Sequence, residues 1–176
     1  MAIDFVVPGL IIPVRQPSGM SCWAAMFTMM YSWKNSVSIS IPDAVATLGQ
    51  HYTDVLLSDT GLSIDDNRAL AEAAGMTAEP LQNWTVAGWN RMLNIHGLLW
   101  TSYAWQSGTR RGRHIIIFYG LRSGAGGVQN VLYVDPSDGQ KHEMSFDTAL
   151  GQHELGFTLD PLSDTDLAQF SQVMHY

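Results

Sequence analysis

The fold is decided by residues 16–33, which read QPSGMSCWAAMFTMMYSW. Pro17 and Gly19 interrupt any regular element at the start of this stretch, because proline lacks a backbone donor and glycine is conformationally free. From Cys22 to Trp33 the residues are apolar nearly all round, which is typical of a helix buried centrally in a domain. Either Ser18 or Ser21 can cap its start. The stretch therefore predicts a central helix that begins at a cysteine.

Shorter helices are predicted between this central helix and residue 97. Ser63 and Asp66 form a capping-box-like start for one helix, and Gly75 ends it. The segment 36–61 has mixed signals, with Pro42 suited to a helix start. These helices are expected at 41–48, at 63–75 and at 86–95.

After Gly97 the pattern changes to short β-branched and aromatic runs separated by turn residues, which predicts an antiparallel sheet. The expected strands are 98–103, 114–119, 131–134 and 140–144. Helices followed by strands predict an α+β domain in two lobes. We expect one domain over residues 1–176, with a helical lobe at about 16–96 and a sheet lobe at about 97–176.

Composition narrows the classes of partner. Hydrophobic residues make up 46% of the 176-residue chain and charged residues 14%, which fits one folded domain with a sizeable core. The net charge of −7 disfavours nucleic acid or an anionic membrane as the main partner. No apolar run approaches the ~20 residues needed to cross a bilayer. The charge and composition therefore favour a polypeptide as the partner.

The chain has a single cysteine, which excludes an internal disulfide and fits a reducing compartment. The opening residues carry an acid and no Lys or Arg, so we expect no secretory leader. Four of the histidines show no metal-ligand spacing with one another or with acidic residues. Neither a metal nor another cofactor is therefore expected. These four are His51, His96, His142 and His153.

Cys22 and His114 are the candidates for nucleophilic chemistry. A thiol becomes a nucleophile when ionised, and a helix start with a nearby imidazolium favours ionisation. His114 opens an apolar strand and would project from a rigid edge as the base. A turn centred between Gly124 and Ala125 would place Asp135 directly opposite His114, where its carboxylate would orient the ring. Asp138 is the alternative orienting residue.

Structural explanations compete with each of these assignments. A lone cysteine at the head of an apolar helix is more often a small buried side chain than a nucleophile. Asp135 opens a stretch with ordinary turn composition and could simply begin that turn. The spacings of Gln16 and Trp23 from Cys22 resemble those of a known enzyme family, and it is this resemblance that turns the balance toward catalysis.

Gln16, the Ser21–Ala24 segment, a histidine opening a strand and an aspartate closing the next strand resemble the papain-like cysteine peptidases. The resemblance is nearest to the compact bacterial branch, which includes plant-pathogen avirulence peptidases and secreted effector or toxin peptidases. It implies a papain-like two-lobed fold with Cys22 as nucleophile, His114 as base and Asp135 as orienting group. It also implies that Gln16 and the Cys22 N–H hold the oxyanion. Met20 stands where the family has glycine.

Tryptophans near the expected site are candidates for a substrate groove. Trp23 follows the nucleophile, and Trp100 and Trp105 precede the strand that carries His114. Their other interpretation is packing in the core or in the cleft wall.

The resemblance implies a monomeric cysteine endopeptidase that cleaves a protein substrate. It suggests a bacterial effector or an interbacterial toxin, made in the cytoplasm without a signal peptide and passed by a specialised secretion system into the target-cell cytoplasm. Such a toxin would have a cognate immunity protein as inhibitor. The alternatives are a cell-wall peptide amidase and a non-catalytic binding module with a peptidase-like fold.

Overall fold

The computed structural model describes residues 3–107, 110–158 and 170–176. Within these ranges the helices are α1 (Cys22–Asn35), α2 (Ile41–Ala46), α3 (Gln50–Ser58), α4 (Ile64–Ala74), α5 (Val86–His96) and α6 (Phe146–Thr158). The strands are β1 (Phe5–Val6), β2 (Thr77–Ala78), β3 (Leu99–Ser107), β4 (Arg110–Ser123), β5 (Gln129–Asp135), β6 (Gln140–Ser145) and β7 (Val173–His175).

In the described part of the chain, seven strands form one antiparallel sheet. Its order is β2-β7-β3-β4-β5-β6, and the short strand β1 pairs with the end of β4. Helices α1 and α5 both contact β4, so the central strand is covered by helices. The α+β fold class predicted from the sequence is confirmed.

Helix α1 is the centre of the core, as its all-round apolar pattern predicts. Every residue from Trp23 to Met30 is buried. Ser21 stands at the N-cap position, but its side chain makes no capping hydrogen bond to the helix. Ser36 ends the helix in the left-handed conformation, with φ of 54°. Helix α1 therefore forms chiefly because its surface is buried on all sides.

The predicted helices α4 and α5 are confirmed, and local signals explain their bounds. Ser63 accepts a hydrogen bond from the Asp66 N–H at the start of α4, and Gly75 ends it with φ of 67°. Thr85 caps α5 in the same way through the Gly88 N–H. These caps satisfy backbone donors that lack an intrahelical partner.

The segment 36–61 holds two helices where one was predicted. The helix predicted at 41–48 is α2, which ends at Ala46. Helix α3 was missed, because Gly49 precedes it and no side chain caps its start. Its C-terminal end is marked by Asp59, which has a positive φ of 50°.

The predicted strands are present, but the register predicted for the β4–β5 hairpin is wrong. Ile117 pairs with Val134, and extending this ladder sets Asp135 opposite Ile116, two residues from His114. The turn is centred on Gly126, which takes φ of 70°, and a bulge near Phe118 then shifts the ladder by one residue. The sequence did not fix this centre, because several neighbouring glycines can adopt positive φ.

Two elements of the C-terminal part were not predicted. Helix α6 follows β6 directly, and β7 inserts between β2 and β3. The β7 segment is anchored by the Ser171 N–H, which donates to Asn67 Oδ1 at 2.8 Å, and by His175, which contacts Glu79 at 2.8 Å. A strand of three residues is too short to show a periodic pattern.

None of the helices within the described ranges is both long and apolar enough to span a membrane.

Gly97 provides a test of the packing behind α1. Its φ is 77°, and a Cβ added there would lie 2.1 Å from the Trp33 ring. We expect Gly97→Ala to lower the free energy of unfolding by about 1–3 kcal/mol more than Gly49→Ala does. Gly49 is the matched control, because its φ is also positive but no atom lies within 4 Å of the added Cβ. Urea denaturation of both variants measures the difference, and equal losses would contradict the packing argument.

Candidate active site

Cys22 is the first residue of α1 and is only half-buried, although the next eight residues of the helix are all buried. It lines a cavity of about 360 Å³ together with His114. As the first helical residue, Cys22 has a backbone N–H without an intrahelical acceptor. The helix therefore presents a thiol and a free backbone donor at the same place.

His114 and Asp135 come together as diagonal neighbours across the β4–β5 hairpin. His114 Nε2 and Asp135 Oδ1 are 2.8 Å apart, although the two residues are not directly opposite in the ladder. Diagonal positions on one face of an antiparallel pair are within reach of long side chains. The predicted contact between His114 and Asp135 is therefore present, although the register from which it was predicted is wrong.

The His114 side chain is held between two partners. Because Nε2 faces Asp135, Nδ1 is the ring nitrogen available to the Cys22 thiol. Burial alone would lower the pKa of His114, but the hydrogen bond with Asp135 and the interaction with Cys22 raise it to about 9. Of the two partners, Asp135 is the one with a fully formed hydrogen bond. The imidazole is accordingly held as a cation at neutral pH.

Asp135 is held as an anion. Burial alone would raise the pKa of this carboxyl, but hydrogen bonds from His114 and Ser137 lower it to about 2. The Ser137 N–H donates to Oδ1 at 2.8 Å. The side chains of His114 and Asp135 are only 16% and 18% exposed, so water competes weakly for their hydrogen bond. Asp135 thus fixes both the orientation and the charge of the ring.

Asp138, the alternative orienting residue, has a different partner. Its carboxylate contacts His142 Nε2 at 2.8 Å, on the neighbouring strand β6. The hydrogen bond with His142 lowers the pKa of Asp138. The structure therefore pairs His114 with Asp135 and not with Asp138.

Tyr103 is a neighbour of the site that sequence reasoning missed. It lies directly opposite His114 in the β3–β4 ladder, and the two rings meet edge to face with centroids 5.5 Å apart. Burial raises the pKa of Tyr103, and the nearby Asp135 and Cys22 raise it further. The phenol is therefore neutral. The sequence feature that could have identified Tyr103 is the β3–β4 hairpin, because its strand pairing places Tyr103 next to the imidazole ring.

Gln16 lies beneath the residues that precede Cys22, not among those that line the cavity. Its Nε2 donates to the carbonyls of Ser18 at 2.7 Å and Gly19 at 3.2 Å. Its Oε1 is buried and has no hydrogen-bond partner within the described structure. The Gln16 backbone N–H donates to Pro136 O at 2.8 Å, in the turn that follows Asp135. The spacing of Gln16 from Cys22 did not reveal that both protons of the side-chain amide are already donated to backbone carbonyls.

The three predicted groove tryptophans have different positions. Trp23 lines the cavity, although it is 1% exposed. Trp100 is fully buried in the core and does not line the cavity, so its assignment to a groove is corrected. The side chain of Trp105 lies outside the described residues. The other apolar walls come from Met20, Leu62, Ile64, Ile115 and Phe170.

Among the described residues, no three or more His, Cys, Asp or Glu side chains are grouped so that they could hold a metal ion. Among the residues that line the cavity, the candidates for nucleophile and base are the Cys22 thiol and the His114 imidazole, which is paired with a carboxylate.

A sequence model of the family described as "Papain-like cysteine protease AvrRpt2" matches residues 5–150, which include Gln16, Cys22, His114 and Asp135. The chain belongs to this family. A papain-like cysteine protease hydrolyses peptide bonds and has a protein or peptide as its substrate. A search of curated proteins found no match to this chain.

The pKa values predict how stability changes with pH. The pKa of His114 in the folded protease is about 9, above its ordinary value of 6.5, so its stabilisation is complete below about pH 6.5 and is lost as the pH rises through 9. The pKa of Asp135 is about 2, below its ordinary 3.8, so its stabilisation is present above pH 3.8 and is lost as the pH falls through 2.

We therefore expect the free energy of unfolding to be higher for the wild-type protease than for His114→Gln. This difference should be largest between pH 3.8 and 6.5. The difference should shrink between pH 6.5 and 9. Urea denaturation across the pH range measures it, with His51→Gln as the control, because His51 also contacts a carboxylate but is 60% exposed. A difference in the free energy of unfolding that does not change with pH would contradict a charged pair of His114 and Asp135.

Proposed function

We propose that the protease is an endopeptidase that cleaves a protein substrate through Cys22, His114 and Asp135. The observation that carries this proposal is the 2.8 Å contact between His114 Nε2 and Asp135 Oδ1 beside the cavity that Cys22 lines. A base oriented by a carboxylate next to a thiol is the arrangement that nucleophilic acyl transfer needs.

In the proposed reaction the Cys22 thiolate attacks the carbonyl carbon of the scissile peptide bond. The protonated His114 then gives its proton to the departing amine, and the acyl group remains on Cys22 as a thioester. The neutral imidazole next takes a proton from water, which attacks the thioester and releases the new carboxyl terminus. Asp135 stabilises the imidazolium at both ends of this cycle.

The oxyanion of the tetrahedral intermediate needs donors near Cys22. The Cys22 N–H is one, because it has no intrahelical acceptor. The Gln16 amide would reach the oxyanion by giving up one of its two hydrogen bonds, and the one to Gly19 is the longer at 3.2 Å. In the proposed mechanism Gln16 exchanges this bond when substrate is bound.

Gln16→Ala tests this role. Loss of one oxyanion donor costs about 10²–10³ in kcat, so we expect a drop of that size with the fold retained. The measurement is kcat for a peptide substrate alongside the circular dichroism spectrum. Gln50→Ala, an exposed glutamine at the start of α3, is the matched control. Unchanged kcat would show that the Cys22 N–H suffices.

We further propose that the protease is a bacterial effector or an interbacterial toxin that acts in the cytoplasm of a target cell. The match to the AvrRpt2 protease family supports the effector proposal, because the sequence resembles the plant-pathogen avirulence peptidases. Delivery would use a specialised secretion system, and a toxin would be paired with an immunity protein that plugs the cleft. Normal growth of bacteria that express the active protease would count against a toxin.

Comparative proteomics of new protein N termini tests activity and identifies the substrate together. Cells expressing wild-type protease should contain new N termini that are absent from cells expressing Cys22→Ala or His114→Ala. The control is His142→Ala, because His142 is also a strand histidine paired with an aspartate, but Asp138 is its partner. Its new N termini should match those of the wild type. Peptide release from purified peptidoglycan without new protein N termini would indicate the amidase alternative instead.

A further inference from the structure

The residues just before the nucleophile, 18–21, form what we term the nucleophile loop. Gly19 and Met20 of this loop line the cavity, and the peptide bond between Ser21 and Cys22 carries the N–H proposed as an oxyanion donor. The position of this donor therefore depends on how the nucleophile loop is held.

The loop is held from two sides. On one side, Gln16 Nε2 donates to the carbonyls of Ser18 and Gly19. On the other side, Asp59 Oδ1 accepts from Ser18 Oγ at 2.6 Å and from the Met20 N–H at 3.0 Å. Asp59 lies 39 residues further along the chain from Met20 and belongs to the end of α3.

Asp59 is an unfavourable residue for the end of a helix. Its φ of 50° lies in the left-handed region, where glycine or asparagine is the usual choice. A carboxylate at a helix C-terminus also meets the negative end of the helix dipole, and the last turn of α3 has no basic residue to offset it. The stability of α3 therefore does not explain an aspartate here, whereas its contacts with the nucleophile loop do.

We propose that Asp59 is a positioning residue for catalysis, which holds the nucleophile loop so that the Cys22 N–H points at the oxyanion. The proposal rests on the Cys22 mechanism proposed above. The Cys22 side chain is held by the buried helix α1, and His114 by strand β4. The Ser21–Cys22 peptide that carries the N–H is different, because its Ser21 carbonyl accepts from the N–H groups of Ala24 and Ala25 in α1 while its loop side depends on residues 18–20, which Asp59 holds. Removing Asp59 therefore loosens the donor while leaving the thiol and the imidazole in place.

Two variants and one control test the proposal. Asp59→Gly removes the acceptor and suits the left-handed conformation. Asp59→Asn keeps a neutral Oδ1 that can accept the same two hydrogen bonds more weakly, because the carboxylate charge is lost. Ser36→Gly is the matched control, because Ser36 ends α1 with φ of 54° and does not contact the nucleophile loop in the described structure. The substrate is a peptide that spans a Cys22-dependent cleavage site from the proteomic experiment.

We expect Asp59→Gly to lower kcat for this peptide by roughly 10- to 100-fold, since small misplacements of catalytic groups cost this much. Asp59→Asn should recover part of the loss, and Ser36→Gly should match the wild type. The unfolding midpoint of Asp59→Gly should stay close to that of the wild type, because relief of the backbone strain offsets the lost surface hydrogen bonds. The rate of Cys22 alkylation by iodoacetamide should also be retained, and this reagent reports Cys22 alone because the chain has one cysteine.

Wild-type kcat in Asp59→Gly would overturn the proposal. A loss of kcat accompanied by an equal loss of stability or of alkylation rate would also overturn it, because Asp59 would then be structural. Failure of the proposed function gives a different result: no Cys22-dependent cleavage site is found, and wild-type Cys22 is alkylated no faster than free cysteine.

Discussion

The hydrogen bond between His114 and Asp135 is the constraint on which the rest of the site depends. It forms between diagonal positions of the β4–β5 hairpin, so it exists only with the turn centred on Gly126 and the bulge near Phe118. The pair is largely buried, which strengthens the bond and keeps opposite charges on its two members. Backbone pairing thus determines an electrostatic property of the active site.

Helix α1 brings the thiol to this pair. Its residues from Trp23 to Met30 are buried, and helix and sheet meet where α1 contacts β4. Cys22, at the helix start, is half-buried and lines the cavity, as does the buried Trp23 that follows it. The same hydrophobic burial that stabilises the domain therefore places the Cys22 thiol beside the imidazole, on a backbone that has little freedom to move. The reactive groups lie on regular elements, and the supporting contacts come from loops.

The sequence predicted the central helix, the helices with strong caps and the strands of the main hairpins, because each has a local signal. It did not predict β7 or α3, whose positions depend on tertiary packing and not on caps or periodicity. The predicted contact between His114 and Asp135 is present although the predicted register was wrong by two residues, because the two side chains are long enough to meet diagonally. Spacing suggested the place of Gln16 but not its hydrogen bonds, since an amide is oriented by neighbours that no motif specifies. Asp59 contacts residues far from it in the chain and gave no signal at all.

The bond from the Gln16 N–H to Pro136 O ties the segment before Cys22 to the turn after Asp135. Gly139 in the same turn packs against Arg15, with room for no side chain atom between them. The segment before Cys22 and the turn after Asp135, which come from opposite halves of the chain, are thus held together by main-chain contact. A shift of the turn after Asp135 would therefore move the segment that leads into Cys22, so the two halves of the chain cannot rearrange independently at this point.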